Sequence, residues 1–301
     1  MSLHTLYELV SNAEAELLAG DSIWAEGPLW IPETRTLRWS DIPRNRILQW
    51  HAETGAQSVY ADQVEFTNGR TLDRDGSVVQ CSHGRRRIER DRGGVVEGLA
   101  DHWEQARFNS PNDVVIAPDG TIWFTDPSYG ITEAREGHAG YREYGDRAVF
   151  RYDPATGSVR PVVLDVEAPN GLAFSPDGGT LYVADSSAAG QPEGIGNRLI
   201  RAYEVVDGIQ CKNSRVFARY HPMDGVPDGI KVDEHGNLWA SSGLGIIVYD
   251  PEGTRLGIIP VPEVVANCCF GGDDGTDLFI TATTSLYRIR TRVRDAWAIR
   301  R

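Results

Sequence analysis

The strongest constraint on this chain is an internal repeat. Residues 110–129, SPNDVVIAPDGTIWFTDPSY, run as a turn, an apolar strand, an Asp-Gly turn, a second apolar strand ending on an acid, and another turn. Five further stretches follow the same plan: AEGPLWIPETRTLRWSD (25–41), FTNGRTLDRDGSVVQCSH (66–83), APNGLAFSPDGGTLYVADS (168–186), VPDGIKVDEHGNLWASSG (226–243) and VANCCFGGDDGTDLFITAT (265–283). Aligned on one polar residue in each, Glu26, Asn68, Asn112, Asn170, Asp228 and Asn267, the copies stand 42, 44, 58, 58 and 39 residues apart. Self-similarity at about 40 residues marks a repeat architecture such as a propeller, in which units bury their apolar faces against one another. The two long steps predict insertions in the third and fourth repeats.

Each repeat is followed by a second pair of short apolar runs around a turn. RILQW and QSVYA flank residues 53–55, and AVFRYD and VRPVVLD flank residues 154–157. Turn residues between alternating strands signal a hairpin, so each unit is four antiparallel strands, one propeller blade. The sixth unit lacks a strand, because only SLYRIRTRV follows its repeat before the C-terminal residues. AELLAGDSIWAEG (15–27) resembles the outer strand of a blade leading into the next anchor, as SVYADQVEFTNG (58–69) does. The expected fold is therefore all-β: one domain over residues 1–301, a six-bladed β-propeller of four-stranded antiparallel blades. The N-terminal strand Glu16–Ala19 completes the last blade, and the seam is left without an open edge.

Composition narrows the partners. The 32 glycines and 16 prolines suit a fold made of short strands and many turns. A formal net charge of -13 argues against nucleic acid and anionic membrane, both of which call for basic patches. No apolar run approaches membrane-spanning length and the N-terminus has no secretory pattern, which points to the cytoplasm. The oligomeric state is left open. The four cysteines show neither metal-ligand nor disulfide-framework spacing, and the adjacent Cys268 and Cys269 should face opposite sides of a strand as buried filler.

Strand direction places the chemistry. If the first strand of each blade runs down the central channel, its anchor lies at one mouth, and the turn after the second strand returns to that face. Glu26, Asn68, Asn112, Asn170, Asp228 and Asn267 are then gathered with Asp41, His83, Asp126, Tyr129 and Asp185, while the Asp-Gly turns at Asp75, Asp119 and Asp177 fall on the opposite face as turn formers. Oxygen side chains converging on a mouth suit a hard divalent cation. The pattern leaves a second reading open, that Asx-Gly pairs simply form turns; Glu26 favours the first, since Glu has no special turn role.

The segments AEGPLW, FTNG with CSHGRRR, RFNSPNDVV with WFTDPSYG, APNGLAFSPDG with LYVADS, and VPDGIKVDEHGNLW resemble the gluconolactonase branch of the senescence marker protein 30/gluconolactonase/luciferin-regenerating enzyme family, over residues 24–283. The resemblance implies hydrolysis of a sugar lactone, assisted by one divalent cation. Calcium is the first choice of ion, with zinc, magnesium and manganese as alternatives. Carried over residue by residue, the metal ligands would be Glu26, Asn170 and Asp228, and Asn112 would stand beside metal and substrate. Arg107 is the candidate for the family's substrate-contacting arginine, although it precedes Asn112 by five residues rather than two. Asp228 would serve as the base that takes a proton from water, and the Asn112 amide would help hold the oxyanion. The alternatives are another ester, aromatic lactone or organophosphate as substrate, or a propeller that binds calcium or a sugar without turnover.

The remaining residues on that face carry two readings each. His83 is a candidate substrate contact, or is hydrogen-bonded to a neighbouring loop. Asp126 and Asp185 either touch substrate or pack against an adjacent turn. Tyr129, with Tyr141 and Tyr144 from the insertion at residues 130–146, either forms a lid or belongs to an ordered surface loop. Arg85, Arg86 and Arg87 read as a solvated strand edge. There is no GxSxG, HExxH or GxxxxGK[ST] to suggest another chemistry.

Overall fold

The structure, a computed structural model, describes residues 5–12 and 14–297. Six four-stranded antiparallel sheets follow one another around a ring as a six-bladed propeller. Blade one comprises Ala25–Ile31, Thr36–Asp41, Arg46–His51 and Gln57–Asp62; blade two, Thr67–Leu72, Val78–Ser82, Arg87–Arg92 and Val95–Ala100. Blade three comprises Val114–Ile116, Ile122–Asp126, Ala148–Asp153 and Ser158–Val163; blade four, Pro169–Phe174, Thr180–Asp185, Leu199–Val206 and Gln210–Arg219. Blade five has Ile230–Val232, Leu238–Ser242, Gly245–Tyr249 and Arg255–Pro260, and blade six begins with Val265–Gly271, Asp277–Ala282 and Ser285–Arg290.

Glu16–Ala19 supplies the fourth strand of blade six. It pairs antiparallel with Ser285–Arg290, Glu16 opposite Arg288 and Leu17 opposite Tyr287, and the Arg288 guanidinium meets the Glu16 carboxylate at 2.7 Å. Upstream, the short helix Leu6–Leu9 lays Leu9 into the core between blades five and six, where Val10 follows it.

The blades adhere through apolar faces because successive strand residues alternate sides. The recurring keystone is a tryptophan in the second strand, Trp39, Trp123 and Trp239, each fully buried. Their indole N–H groups donate to Ser22, Thr121 and Asp233 respectively, so burial leaves no unpaired donor. Truncating such a side chain typically costs about 3–5 kcal/mol. Cys268 packs into the core on the side of blade five and Cys269 into the core shared with blade one, on opposite faces of their strand; all four cysteines are free.

The long repeats carry their insertions as expected, between Asp126 and Ala148 in blade three and between Asp185 and Leu199 in blade four. Two features differ from the sequence reading. A small hairpin, His102–Trp103 with Ala106–Arg107, precedes blade three; strands of two residues have no alternation to read. The Arg85 to Arg87 run is not a solvated edge. Arg85 and Arg87 pair with the fully buried Glu89, and Arg86 donates to Phe108 O at 2.6 Å and pairs with Glu143 at 3.3 Å, tying the insertion to blade two. Among the described residues no helix is long and apolar enough to cross a membrane.

Candidate functional site

The anchors owe their direction to a slip in the first strand. In four blades the pairing with the second strand breaks at the anchor, between Glu26 and Leu29, Thr67 and Arg70, Pro169 and Leu172, and Val265 and Asn267. In blades three and five the strand begins only after the anchor, at Val114 and Ile230. Such irregularities unpair a residue and re-aim its side chain. The glycine that follows lets the next blade approach: a Cβ at Gly171 would lie 2.3 Å from Asp228 O, and one at Gly229 would lie 2.0 Å from Asn267 Cγ. Hydrogen bonds then run from blade to blade, Gly69 N to Asn112 O at 2.8 Å, Gly171 N to Asp228 O at 3.1 Å and Gly229 N to Ala266 O at 2.8 Å. The Asn267 amide donates to Glu26 Oε2 at 3.4 Å. The polar residues that the sequence repeats are thus joined in one ring around the channel, five of them buried and Asp228 partly exposed.

The ring is electrostatically loaded. Burial pushes the Glu26 carboxyl up to about 7, opposed by the Gly27 N–H and reinforced by Asp113. Asp228 is driven well above the usual carboxylate range by burial, then by Glu26, Glu136 and Asp113, while the Asn170 amide donates to it and pulls the other way. Asp113, which stands where four of the other five anchors have glycine, is likewise raised by burial despite Lys231, whose ammonium lies 4.0 Å from its Oδ2. The basic side chains of the ring are engaged elsewhere: Arg70 donates to Gly27 O and Ser40 Oγ, and Lys231 to Ile230 O. Like charges held in a low-dielectric mouth favour either protons or a cation.

The structure distributes the other predicted residues unevenly. Tyr129 belongs with the ring: its hydroxyl is buried beside the Ser186 side chain without a well-formed hydrogen bond, and burial, then Asp228, raises its proton affinity. His83 is fully buried, its Nδ1 3.0 Å from Glu136 O and its Nε2 3.3 Å from the Asn68 amide. Burial lowers its pKa to about 4, so the ring is neutral, with Nδ1 donating to the carbonyl and Nε2 accepting from Asn68. It is the loop-bonded histidine rather than a free one.

Asp126 has a different task from the substrate contact considered for it. Fully buried, it accepts the N–H groups of Asn109 at 2.7 Å and Ser110 at 2.8 Å, and the Tyr144 hydroxyl donates to it as well. Asp185 likewise accepts from Glu167, Ala168, Ser187 and Asn197. A carboxylate that ends the second strand is used to fasten the loop entering its own blade. Arg107 lies exposed on the extra hairpin, its guanidinium on Arg85 O at 3.1 Å and its N–H on Glu143, away from the ring. Tyr144, partly buried, packs edge-on against Trp103 and Phe150 at the border of the core, whereas Tyr141 is exposed.

Sequence reading missed two acids. Asp113 was hidden beside the anchor Asn112, and its departure from the Asx-Gly pattern was the available signal. Glu136 sits in the insertion, where no repeat gives it a register. No three His, Cys, Asp or Glu side chains among the described residues form a metal-binding group. The set Glu26, Asn170 and Asp228 has two carboxylates and an amide, oxygen donors only. That donor chemistry and the uncompensated charge of the two acids fit a hard divalent cation.

The comparisons with known proteins bear on the whole chain. The family described as SMP-30/Gluconolactonase/LRE-like region matches residues 24–284. A gluconolactonase of Zymomonas mobilis is 34% identical, with 92% of this chain and 81% of that protein covered. A pentonolactonase of Haloferax volcanii is 33% identical, with 85% and 80% covered. The solved structure of a gluconolactonase from Xanthomonas campestris superposes with a TM-score of 0.87 at 39% identity, covering 95% of this chain and 92% of the other.

Proposed function

The chain belongs to the SMP-30/Gluconolactonase/LRE-like family, and from that premise we infer that it is a lactonase, hydrolysing a sugar lactone to the open hydroxy acid. The observation that carries the reading beyond family membership is the gathering of two carboxyls and two amides from different blades at one mouth: the Asn267 amide donates to the buried Glu26 at 3.4 Å, and the Asn170 amide donates to the partly exposed Asp228.

We propose that Glu26, Asn170 and Asp228 hold one divalent cation, calcium by donor type. When bound, such an ion would supply Lewis acidity towards the lactone carbonyl and a lower pKa for an adjacent water. The chain's own groups do the rest. Asp228, partly exposed and made more basic by burial and by Glu26, takes a proton from the attacking water on a carboxylate oxygen. Glu26 is held in place at the mouth by the Gly27 N–H and the Asn267 amide. Asn112, whose main chain is pinned by Thr125 O and Gly69 N, offers its amide to the developing oxyanion. As the ring C–O bond breaks, Asp228 returns the proton to the leaving oxygen.

The test is a pH-indicator assay of glucono-δ-lactone opening against the spontaneous rate. Chelator-stripped protein is assayed first, then calcium, magnesium, manganese and zinc are restored singly. Turnover restored by one ion is the expected result. Turnover that survives stripping undiminished removes the cation from the mechanism. Absence of turnover on this and a panel of other lactones and esters leaves a propeller that only binds.

A further inference from the structure

The insertion of blade three leaves the second strand at Asp126 and returns at Ala148. Its middle is fastened across the mouth to blades one and two. The Arg135 guanidinium lies over the Trp24 indole, 5.7 Å from its centroid, and Trp24 is two residues before Glu26. His138 Nε2 is 2.9 Å from Glu65 Oε2, and its ring meets Phe66 edge-on at 5.3 Å. Between these points His83 donates to Glu136 O, and the same imidazole accepts from the anchor Asn68. Gly137 allows the strap to lie close, since a Cβ there would be 2.1 Å from Gly130 O. Residues 135–138 are therefore held one imidazole away from the ring.

This brings the Glu136 side chain to the mouth, largely buried and within electrostatic reach of Glu26, Asp228 and Tyr129. Among the described residues no hydrogen bond takes up its carboxylate. Its ion pair, with Arg135 Nε, is 3.8 Å long, beyond hydrogen-bond distance, and Arg135 is already placed on Trp24. A further negative charge beside Glu26 and Asp228 does not serve charge balance. What it can do is accept: two carboxylate oxygens match two adjacent hydroxyl donors, the feature that separates a sugar lactone from a plain one. The Tyr129 hydroxyl, which makes no well-formed hydrogen bond beside Ser186, is available to the same ligand.

Resting on the lactonase reading, we propose that Glu136 contacts the ring hydroxyls of the substrate and is the residue that selects polyhydroxylated lactones over unsubstituted ones. The strap around it sets the position of that carboxylate, and the ring of anchors does not depend on it.

The experiment compares native protein with Glu136→Ala and Glu136→Gln on glucono-δ-lactone and δ-valerolactone. The quantity read is the ratio of the two kcat/KM values, which is unaffected by a partly folded preparation. The expected result is a fall in that ratio of about tenfold or more, carried by KM for the hydroxylated lactone, because a site built to bond hydroxyls loses discrimination with the bond. An unchanged ratio, whether both lactones fall together or neither moves, overturns the proposal. The lactonase reading fails separately, if native protein opens no lactone. Where either lactone is not turned over, calorimetric titration with neutral, unhydrolysed glucono-δ-lactam decides. Binding about tenfold weaker in the variants supports the contact; equal binding, or none to native protein, overturns it.

Discussion

The two faces of the propeller carry the same kind of residue under opposite conditions. On the face away from the anchors, Asp75, Asp119, Asp177 and Asp274 each accept the N–H two residues ahead, from Ser77, Thr121, Gly179 and Thr276 at 2.9 to 3.1 Å. The carboxylate closes its own turn and is stabilised in the charged form: the Ser77 hydroxyl lowers the pKa of Asp75, and the Ser175 hydroxyl and Gly179 N–H lower that of Asp177. At the mouth, Glu26 takes a hydrogen bond from Asn267 of blade six besides that of its neighbour Gly27, Asp228 takes one from Asn170 of blade four, and burial raises both. An Asp-Gly pair is therefore neutral as a functional signal. What matters is where it sits: Asp228-Gly229 leads into the first strand of its blade, whereas the far-face pairs lie in the turn between the first and second strands.

The sharpest way to break this contrast is Asp228→Ala. Lactone turnover should fall about a thousandfold, the middle of the range for a lost general base, with the β-rich circular dichroism intact. Unchanged turnover would put Asp228 in the same class as the far-face turn acids.

The second test uses pH. Glu26 has a folded pKa of about 7 against an ordinary value of 4.5, so the folded protein binds this proton more tightly than the unfolded chain. Its contribution is fully present below about pH 4.5 and is lost as pH rises through 7, on the order of 3 kcal/mol in metal-free protein. Asp228 acts in the same direction. Urea unfolding in chelator should show lower stability at pH 8 than at pH 5, and a saturating divalent cation should restore it at pH 8. The far-face acids have the opposite sign: their contribution is present above the unfolded value near 3.8 and disappears as pH falls below it. Metal-free protein at least as stable at pH 8 as at pH 5 would contradict the loaded mouth.

Glycines sharpen the contrast further. Gly76, at φ 81° in the Asp75 turn, has open space around its Cβ position and is needed for its conformation; Gly229 has no positive φ and is needed because Asn267 stands against it. Gly229→Ala should displace Asn267 from Glu26, lowering the denaturation midpoint by the equivalent of about 1–3 kcal/mol and reducing turnover. Gly76→Ala should cost stability alone. Equal retention of activity in both would show that the ring tolerates the shift. The smallest effect belongs to Asp177→Ala, about 1 kcal/mol for a lost turn hydrogen bond, with kcat and KM unchanged; altered kinetics would mean that the far face communicates with the mouth.

The fold was legible because it is written six times: anchor, strand and turn recur in register, and the missing strand of the last unit could be matched to Glu16–Ala19. Glu26, Asn112, Asn170 and Asp228 were legible for the same reason, as polar residues at one register position. Position along a strand does not reveal where a carboxylate's hydrogen bonds go, so Asp126 looked like a site residue while its oxygens hold Asn109 and Ser110. Glu136 was illegible for a deeper reason. Its placement depends on contacts such as His138 with Glu65, 73 residues apart, and Arg135 with Trp24, which no local pattern encodes.

The seam between Glu16–Ala19 and Ser285–Arg290 has a consequence for synthesis. Glu16 and Arg288 are 272 residues apart, so a ribosome must release all the residues between them before this pair can form. Five blades can hydrogen-bond as they emerge, but the sixth stays three-stranded until Glu16–Ala19 returns to it. Closure is thus a late, slow event with a high entropic cost. Until then the outer edge of Ser285–Arg290 is exposed, and a second nascent chain could compete for it.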